Sequence, residues 1–292
     1  MDNIQVGILS DIPNHARYMT FNLLPHSNIQ KALQILKSIV DGKNIVAGLG
    51  SPLLKQSGKK VSGMRDFTAH SGPGLSLPST ISALWLWLRG EDKGELFHLA
   101  REAEIKLSDY FQLEATIEAF QYKDSRDLTG YEDGTENPTG EDAIHAGIVR
   151  NQGEGLDGSS FVAVQKWLHE MKLFNAMSTS EQDDTFGRRI SDNEEIDEAP
   201  ESAHVKRTAQ ESFSPEAFIL RRSMPWTDEQ SGGLVFVAFG HSFDAFEALL
   251  KRMLGDEDNI TDALFNFTRP ISGAYFWCPP MKNNQLDLRA IE

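Results

Sequence analysis

Between Gly233 and Gly240 the chain reads Gly-Leu-Val-Phe-Val-Ala-Phe-Gly, without one polar side chain. A strand sends successive side chains to opposite faces, so an unbroken apolar run describes a strand covered on both sides. The segments around it alternate between strand and helix patterns. Residues 15–25 read as a strand, followed by a helix with Ser27 as N-cap, in which Ile29, Leu33, Leu36 and Val40 share a face and Gly42 marks the end. Residues 44–49 and 79–89 read as strands, 94–106 as a helix and 113–122 as a strand.

The second half repeats this order. Residues 160–168 form a strand and 169–186 a helix, and a long polar connection leads to a strand over 217–225. The apolar run 233–240 follows. Ser242 then caps a helix in which Phe246, Leu249, Leu250 and Met253 share a face, with Gly255 past its end, and 274–278 is the last strand. Each half is thus strand-helix-strand twice over, a ferredoxin-like α+β unit with an antiparallel sheet. Glycines at 140, 147, 153, 155 and 158 set the expected boundary, giving an N-terminal domain over 1–145 and a C-terminal domain over 146–292.

Composition narrows the function. A net charge of −15 argues against nucleic acid and against anionic membrane surfaces, both of which reward dense Lys and Arg. A chain of 292 residues buries roughly three quarters of its unfolded surface, so its core can enclose a cofactor. The single cysteine, Cys278, permits no intrachain disulfide and no zinc or iron–sulfur cage. The opening residues carry neither a charged n-region nor an apolar h-region, and no apolar stretch approaches a membrane span. A cytoplasmic location is expected, and the tail after Pro280 shows no clear targeting segment.

One loop stands out chemically: Gly130-Tyr-Glu-Asp-Gly-Thr-Glu-Asn-Pro138. It sets Asp133 among glycines that allow positive φ and close backbone approach, and Pro138 holds Asn137 extended. Such a loop could aim one carboxylate at something bulky and planar; taken alone, Asp-Gly more often marks a plain turn. Downstream come Ala-Pro-Glu-Ser-Ala-His204-Val-Lys-Arg-Thr and Phe-Ile-Leu-Arg221-Arg-Ser223-Met-Pro-Trp226.

A Gly-flanked Asp, then a His, then an apolar strand ending in Arg resembles the dye-decolorizing peroxidases, a family of haem enzymes, and the compact length resembles their bacterial B-type (P-type) subgroup. The resemblance implies two ferredoxin-like domains in tandem, with the haem pocket mainly in the C-terminal half. It implies non-covalent haem b, since no Cys-x-x-Cys-His attachment signal exists. By the same resemblance His204 is the axial iron ligand, and Asp133 with Arg221 forms the distal pair, Ser223 holding a distal water. Arg188 meets a propionate, with Arg189 as the alternative register, and Glu132, Gly134 and Thr135 also contact the cofactor. The imidazole's second nitrogen is oriented by a late segment, through Asp262 or through Asn266. Arg222 points away from its neighbour, while Asn137 and Glu136 stabilise the loop. Tyr131 and Trp226 are candidates for electron relays.

The activity implied is reduction of hydrogen peroxide through a high-valent iron–oxo intermediate, with oxidation of dyes, phenols or similar reductants, in a homo-oligomer (dimer or higher). A haem carrier or dechelatase with the same His-ligated pocket is the alternative, and a haem-free binding module is a second. Asp133→Asn and Arg221→Leu separate the peroxidase from the carrier, and a colourless protein that ignores added haemin would mark the haem-free module.

Overall fold

A computed structural model describes residues 3–72 and 75–292. In the first half, β1 (His15–Leu23), α1 (Ile29–Ile39), β2 (Ile45–Leu49), β3 (Leu84–Gly90), α2 (Lys93–Leu107) and β4 (Phe111–Phe120) follow in order. In the second, β5 (Ser160–His169) leads through α3 (Met171–Ala176), α4 (Thr179–Phe186) and α5 (His204–Arg207). The chain continues through β6 (Leu220–Arg221), β7 (Met224–Thr227), β8 (Gly232–Gly240), α6 (Asp244–Met253) and β9 (Ala274–Cys278). The first half orders its strands β2-β3-β1-β4, and the second β9-β5-β8 with β6 and β7 beyond, every pairing being antiparallel. Both are the ferredoxin-like order.

The two sheets join at both edges, where Trp277 pairs with Leu49 and Ala119 with Trp226. Since β5 also pairs with β8, the strands close into a ring, a solution that removes exposed sheet edges. The sequence explains how both faces are filled. In β3, Trp85 and Trp87 turn into the ring while Leu84, Leu86 and Leu88 face the helices. The ring interior is aromatic: Trp85 stacks with Tyr18, Trp87 and Phe276 at centroid distances of 6.1, 6.4 and 6.0 Å. The apolar run of β8 divides likewise, with Val235, Val237 and Phe239 inside the ring and Phe236 and Ala238 against the outer helices.

Several local details differ from the sequence reading. The N-cap of α1 is Asn28, whose side chain accepts from the Lys31 amide. Ser27 instead donates its hydroxyl to the carbonyls of Leu24 and Tyr110. The expected helix over 169–186 is two helices, because Ser178 and Glu181 form a capping box that starts the second. The expected strand over 217–225 is broken at Arg222 and Ser223, where pairing to β8 lapses. The glycine-rich stretch 140–158 opens with a helix, Gly140–Gly147. No helix among the described residues is long and apolar enough to cross a membrane.

Because Trp85 is fully buried at the centre of the ring, Trp85→Ala should cost about 3–5 kcal/mol of unfolding free energy, read from chemical denaturation.

Candidate active site

A cavity of about 310 Å³ lies between the outer face of the second sheet and its helices. Phe236 and Leu234 of β8 form one wall, and Phe246, Leu249, Leu250 and Met253 of α6 form the facing one. Helix α6 is fixed from behind by Arg65, whose guanidinium bonds both oxygens of Glu247 (2.8 Å each) and Oδ1 of Asp244 (2.6 Å). The first half thereby braces a wall of the second.

His204 opens α5 and lines the cavity. Its Nδ1 lies 2.7 Å from Oδ2 of Asp262, a carboxylate with no exposed side-chain surface, and Oδ1 of Asp262 accepts the Leu264 amide at 2.9 Å. Asp262 therefore fixes the ring, and Nε2 is left toward the cavity. Asn266 is exposed and takes no part.

The glycine loop approaches the same cavity. Asn137 fastens it to β6: Nδ2 donates to the Arg221 carbonyl and Oδ1 accepts the Arg221 amide, both at 2.8 Å. Gly130 and Gly134 have φ of 93° and 87°, a region that favours glycine. The result is an Asp133–Arg221 pair with Nη1 3.4 Å from Oδ1, each side chain about 21% exposed. Burial pushes the Asp133 carboxyl above its usual range. The Arg221 charge opposes that rise and the Asp127 charge adds to it, while the charge of His204 and the Gly134 amide lower it slightly. A carboxyl with raised proton affinity beside a fixed guanidinium can accept and return a proton while negative charge is held next to it.

Arg188 lines the cavity and bonds Glu136 (2.8 Å) and the Asn193 carbonyl (3.0 Å), whereas Arg189 is tied to Asp192 and Glu194 away from it. Glu132, Gly134 and Thr135 lie on the same rim, where Asn193 Nδ2 bridges Glu132 Oε2 (2.8 Å) and Thr135 Oγ1 (2.9 Å). Arg222 turns away, donating to the carbonyls of Ile8, Leu9 and Arg221; its burial brings its pKa down to about 10.

Ser223 lies apart from these groups. It faces a neighbouring cavity of about 410 Å³ that shares only Asp133, Gly134 and Arg221 with the first, and its Oγ accepts the Val237 amide at 3.3 Å. Tyr131 and Trp226 are both buried, so neither offers a surface to a bulky molecule. Tyr131 stacks on Phe186 with centroids 3.8 Å apart and donates to Asp183. Trp226 donates to the Trp167 carbonyl at 2.9 Å and lies beneath Lys166.

The sequence reading missed Gln165 and His169. Both project from β5 into the cavity, and polar residues four apart, hence on one face of a strand, were the available signal. Gln165 is 1% exposed, and its Nε2 has no partner, so the cavity presents a buried donor to whatever fills it.

A tandem ferredoxin-like fold enclosing a carboxylate-backed histidine and an Asp–Arg pair is the framework of an oxidoreductase that works on a bound group. The family model for the Dyp-type peroxidase, C-terminal, matches residues 124–283, and the chain belongs to this family of peroxidases. It is 29% identical over 244 residues to a dye-decolorizing peroxidase of Mycobacterium tuberculosis, covering 81% of this chain and 73% of that one. To the Brevibacterium linens protein it is 29% identical over 247 residues, covering 82% and 67%. Among solved structures, DyPB from Rhodococcus jostii RHA1 superposes with a TM-score of 0.86 at 26% identity, over 94% of this chain and 95% of that one. The dye-decolorizing protein from V. cholerae gives 0.84 at 25%, over 94% and 96%. Variants of the Rhodococcus protein are described in complex with heme.

Asn137→Ala removes both bonds to Arg221 and should lower stability by about 1–3 kcal/mol, measured by urea unfolding, with Asn137→Asp retaining part of the loss-sensitive contact.

Proposed function

We propose that this chain is a haem-dependent peroxidase that reduces hydrogen peroxide and oxidises dyes, phenols or similar reductants. One observation carries the reading: a single cavity brings together the Asp262-held His204 and the Asp133–Arg221 pair. The lining fits a haem. Apolar walls from β8 and α6 suit the macrocycle. One imidazole with a carboxylate behind it is a donor set for a haem iron. Arg188 supplies a guanidinium for a propionate, the rim residues Glu132, Gly134 and Thr135 flank its edge, and the unpartnered Gln165 amide awaits an acceptor. No cysteine lines the cavity, which favours non-covalent haem b.

When bound, the haem supplies the redox chemistry that turns peroxide into water and draws electrons from a reductant. His204 would hold the iron through Nε2, with Asp262 on Nδ1 keeping that nitrogen free. Asp133 would take a proton from hydrogen peroxide and return it to the oxygen that departs as water. Arg221 would steady the negative charge that develops as the O–O bond breaks. Ser223, reached from the adjoining cavity, assists by holding water near Arg221. The reading extends to a cytoplasmic homo-oligomer (dimer or higher), in keeping with the acidic composition, and to a division of the chain into domains 1–145 and 146–292.

Asp133→Asn and Arg221→Leu should still bind haemin but react with peroxide about 10²–10⁴-fold more slowly, followed by stopped-flow absorption. His204→Ala should lose the absorption signature of a histidine-held haem. Unchanged peroxide kinetics in both distal variants, with normal haem transfer, would favour the carrier reading. Because the ionised form of Asp133 is the base and its pKa is raised, the rate of reaction with peroxide should fall as pH drops, with a midpoint above the ordinary carboxylate value of about 3.9.

A further inference from the structure

Helix α5 is a single turn, His204–Arg207. One turn does not hold itself, because its first hydrogen bond does not repay the ordering of its residues. The aim of His204 is therefore set by what grips the turn from outside. His204 and Arg207 stand three residues apart in the chain, a spacing that puts both side chains on one side of a helix. Both are met by the same segment, the loop that follows α6. Oδ2 of Asp262 lies 2.7 Å from Nδ1 of His204. Four residues earlier, Asp258 takes Arg207 through both oxygens, Nη1 donating to Oδ2 at 2.7 Å and Nη2 to Oδ1 at 2.8 Å. Nη2 also donates to the Arg252 carbonyl in the last turn of α6, at 2.7 Å.

The loop is shaped to present the two carboxylates together. Gly255 has a φ of +78°, and a Cβ there would stand 3.1 Å from the Ile260 carbonyl carbon. Oδ1 of Asp258 accepts the Ile260 amide at 2.9 Å. The Asp262 amide donates to the Met253 carbonyl, and the Ala263 amide to the carbonyl of Ser202 just ahead of His204, both at 2.8 Å. Arg207 is 4% exposed and its Nε has no partner. A buried ion pair of this kind is a poor source of stability, because desolvation offsets the attraction. Two parallel bonds do supply a fixed orientation.

We propose that Arg207, clasped by Asp258, is a positioning residue for His204: it holds the turn at the angle at which Nδ1 reaches Asp262 while Nε2 faces the cavity. This rests on His204 being the iron ligand. A carboxylate can only accept, so Nδ1 carries the proton in that contact. A ligand imidazole held in this way is the more basic one and favours ferric over ferrous iron. Loosening the clasp lets the ring turn from Asp262, weakens the Nδ1 bond and moves the balance toward ferrous iron.

The test uses the full-length, haem-loaded protein and two readouts other than turnover. These are the iron–imidazole stretching frequency of the ferrous protein, by resonance Raman, and the ferric/ferrous midpoint potential. Asp262→Asn removes the carboxylate outright and should lower the frequency and raise the potential. Arg207→Met should move both the same way, through about a tenfold loss of preference for ferric iron, equivalent to about 59 mV for one electron. Asp258→Asn, at the more exposed partner (40%), should shift both in the same direction by less, and it decides alone if Arg207→Met does not fold. In the Asp262→Asn background Arg207→Met should add nothing further, because it acts through that bond. Parent values in Arg207→Met and Asp258→Asn beside a shifted Asp262→Asn overturn the proposal alone, as does a further shift in the double variant. A parent chain that takes up no haemin, or parent values in Asp262→Asn, overturns the reading of His204 and the proposal with it.

Discussion

Two hydrogen bonds from one side chain hold the candidate site together. Asn137 engages both backbone groups of Arg221, and in doing so fastens the loop that trails the first half to a strand of the second. That contact ties the loop to the backbone of Arg221 itself, whose Nη1 stands 3.4 Å from Asp133 Oδ1. The loop is built to reach it. A Cβ at Gly134 would stand 3.1 Å from the Asn137 amide nitrogen, in a backbone conformation of φ +87° that other residues rarely adopt. The glycine and the amide are therefore one device, with Pro138 keeping Asn137 extended where it must point.

The closed ring explains why the cavity lies where it does. Tryptophans and phenylalanines fill the interior, leaving it to packing alone. Chemistry is left to the outer face of the second sheet, where Phe246 of α6 meets Phe236 at a centroid distance of 5.9 Å and a cavity lies beside that contact. The two halves share a topology but not a use. In the first, α1 and α2 seal against the sheet through Leu33, Leu36, Ala100 and Leu107. In the second, the corresponding layer stands off, and Arg65 reaches across from the first half to keep it in place.

Local order was legible in the chain, and closure was not. The apolar run of β8 and the alternation of Trp and Leu in β3 state which faces are buried, because period-2 patterning is a direct record of burial. The ring is closed by the single-residue bridges Trp277–Leu49 and Ala119–Trp226, which leave no periodic trace. In the site, Asp133, Arg221 and His204 stood out through the motifs that carry them, and the structure gathers them around one cavity. The choice between Asp262 and Asn266 was open because a short 3-10 turn can present either. Asp262 is decided by its burial as the N-cap of Ala263–Asn266. The break in the strand at Ser223 was not legible, because its apolar neighbours read as one continuous strand. His169 and Gln165 escaped notice because the partners of His169 lie far off in the chain and the Gln165 Nε2 has none.

The site also costs the fold stability, and the direction can be worked out. A carboxyl whose folded pKa is raised, as for Asp133, loses its proton more readily in the unfolded chain. As pH rises from the unfolded value through the folded one, the unfolded state gains relative stability. At neutral pH Asp133 therefore works against folding, as buried functional groups commonly do. Asp127 has the opposite sign: its lowered pKa contributes stability that is present above the unfolded value and lost as pH falls through the folded one. The two carboxyls lie on one short loop, one straining the fold and one securing it, and His169 links that loop to the sheet. The loop can carry a reactive carboxyl at the edge of the cavity because its other end is bound through Asp127 and His169, 2.9 Å apart, to β5, a strand that belongs to the closed ring.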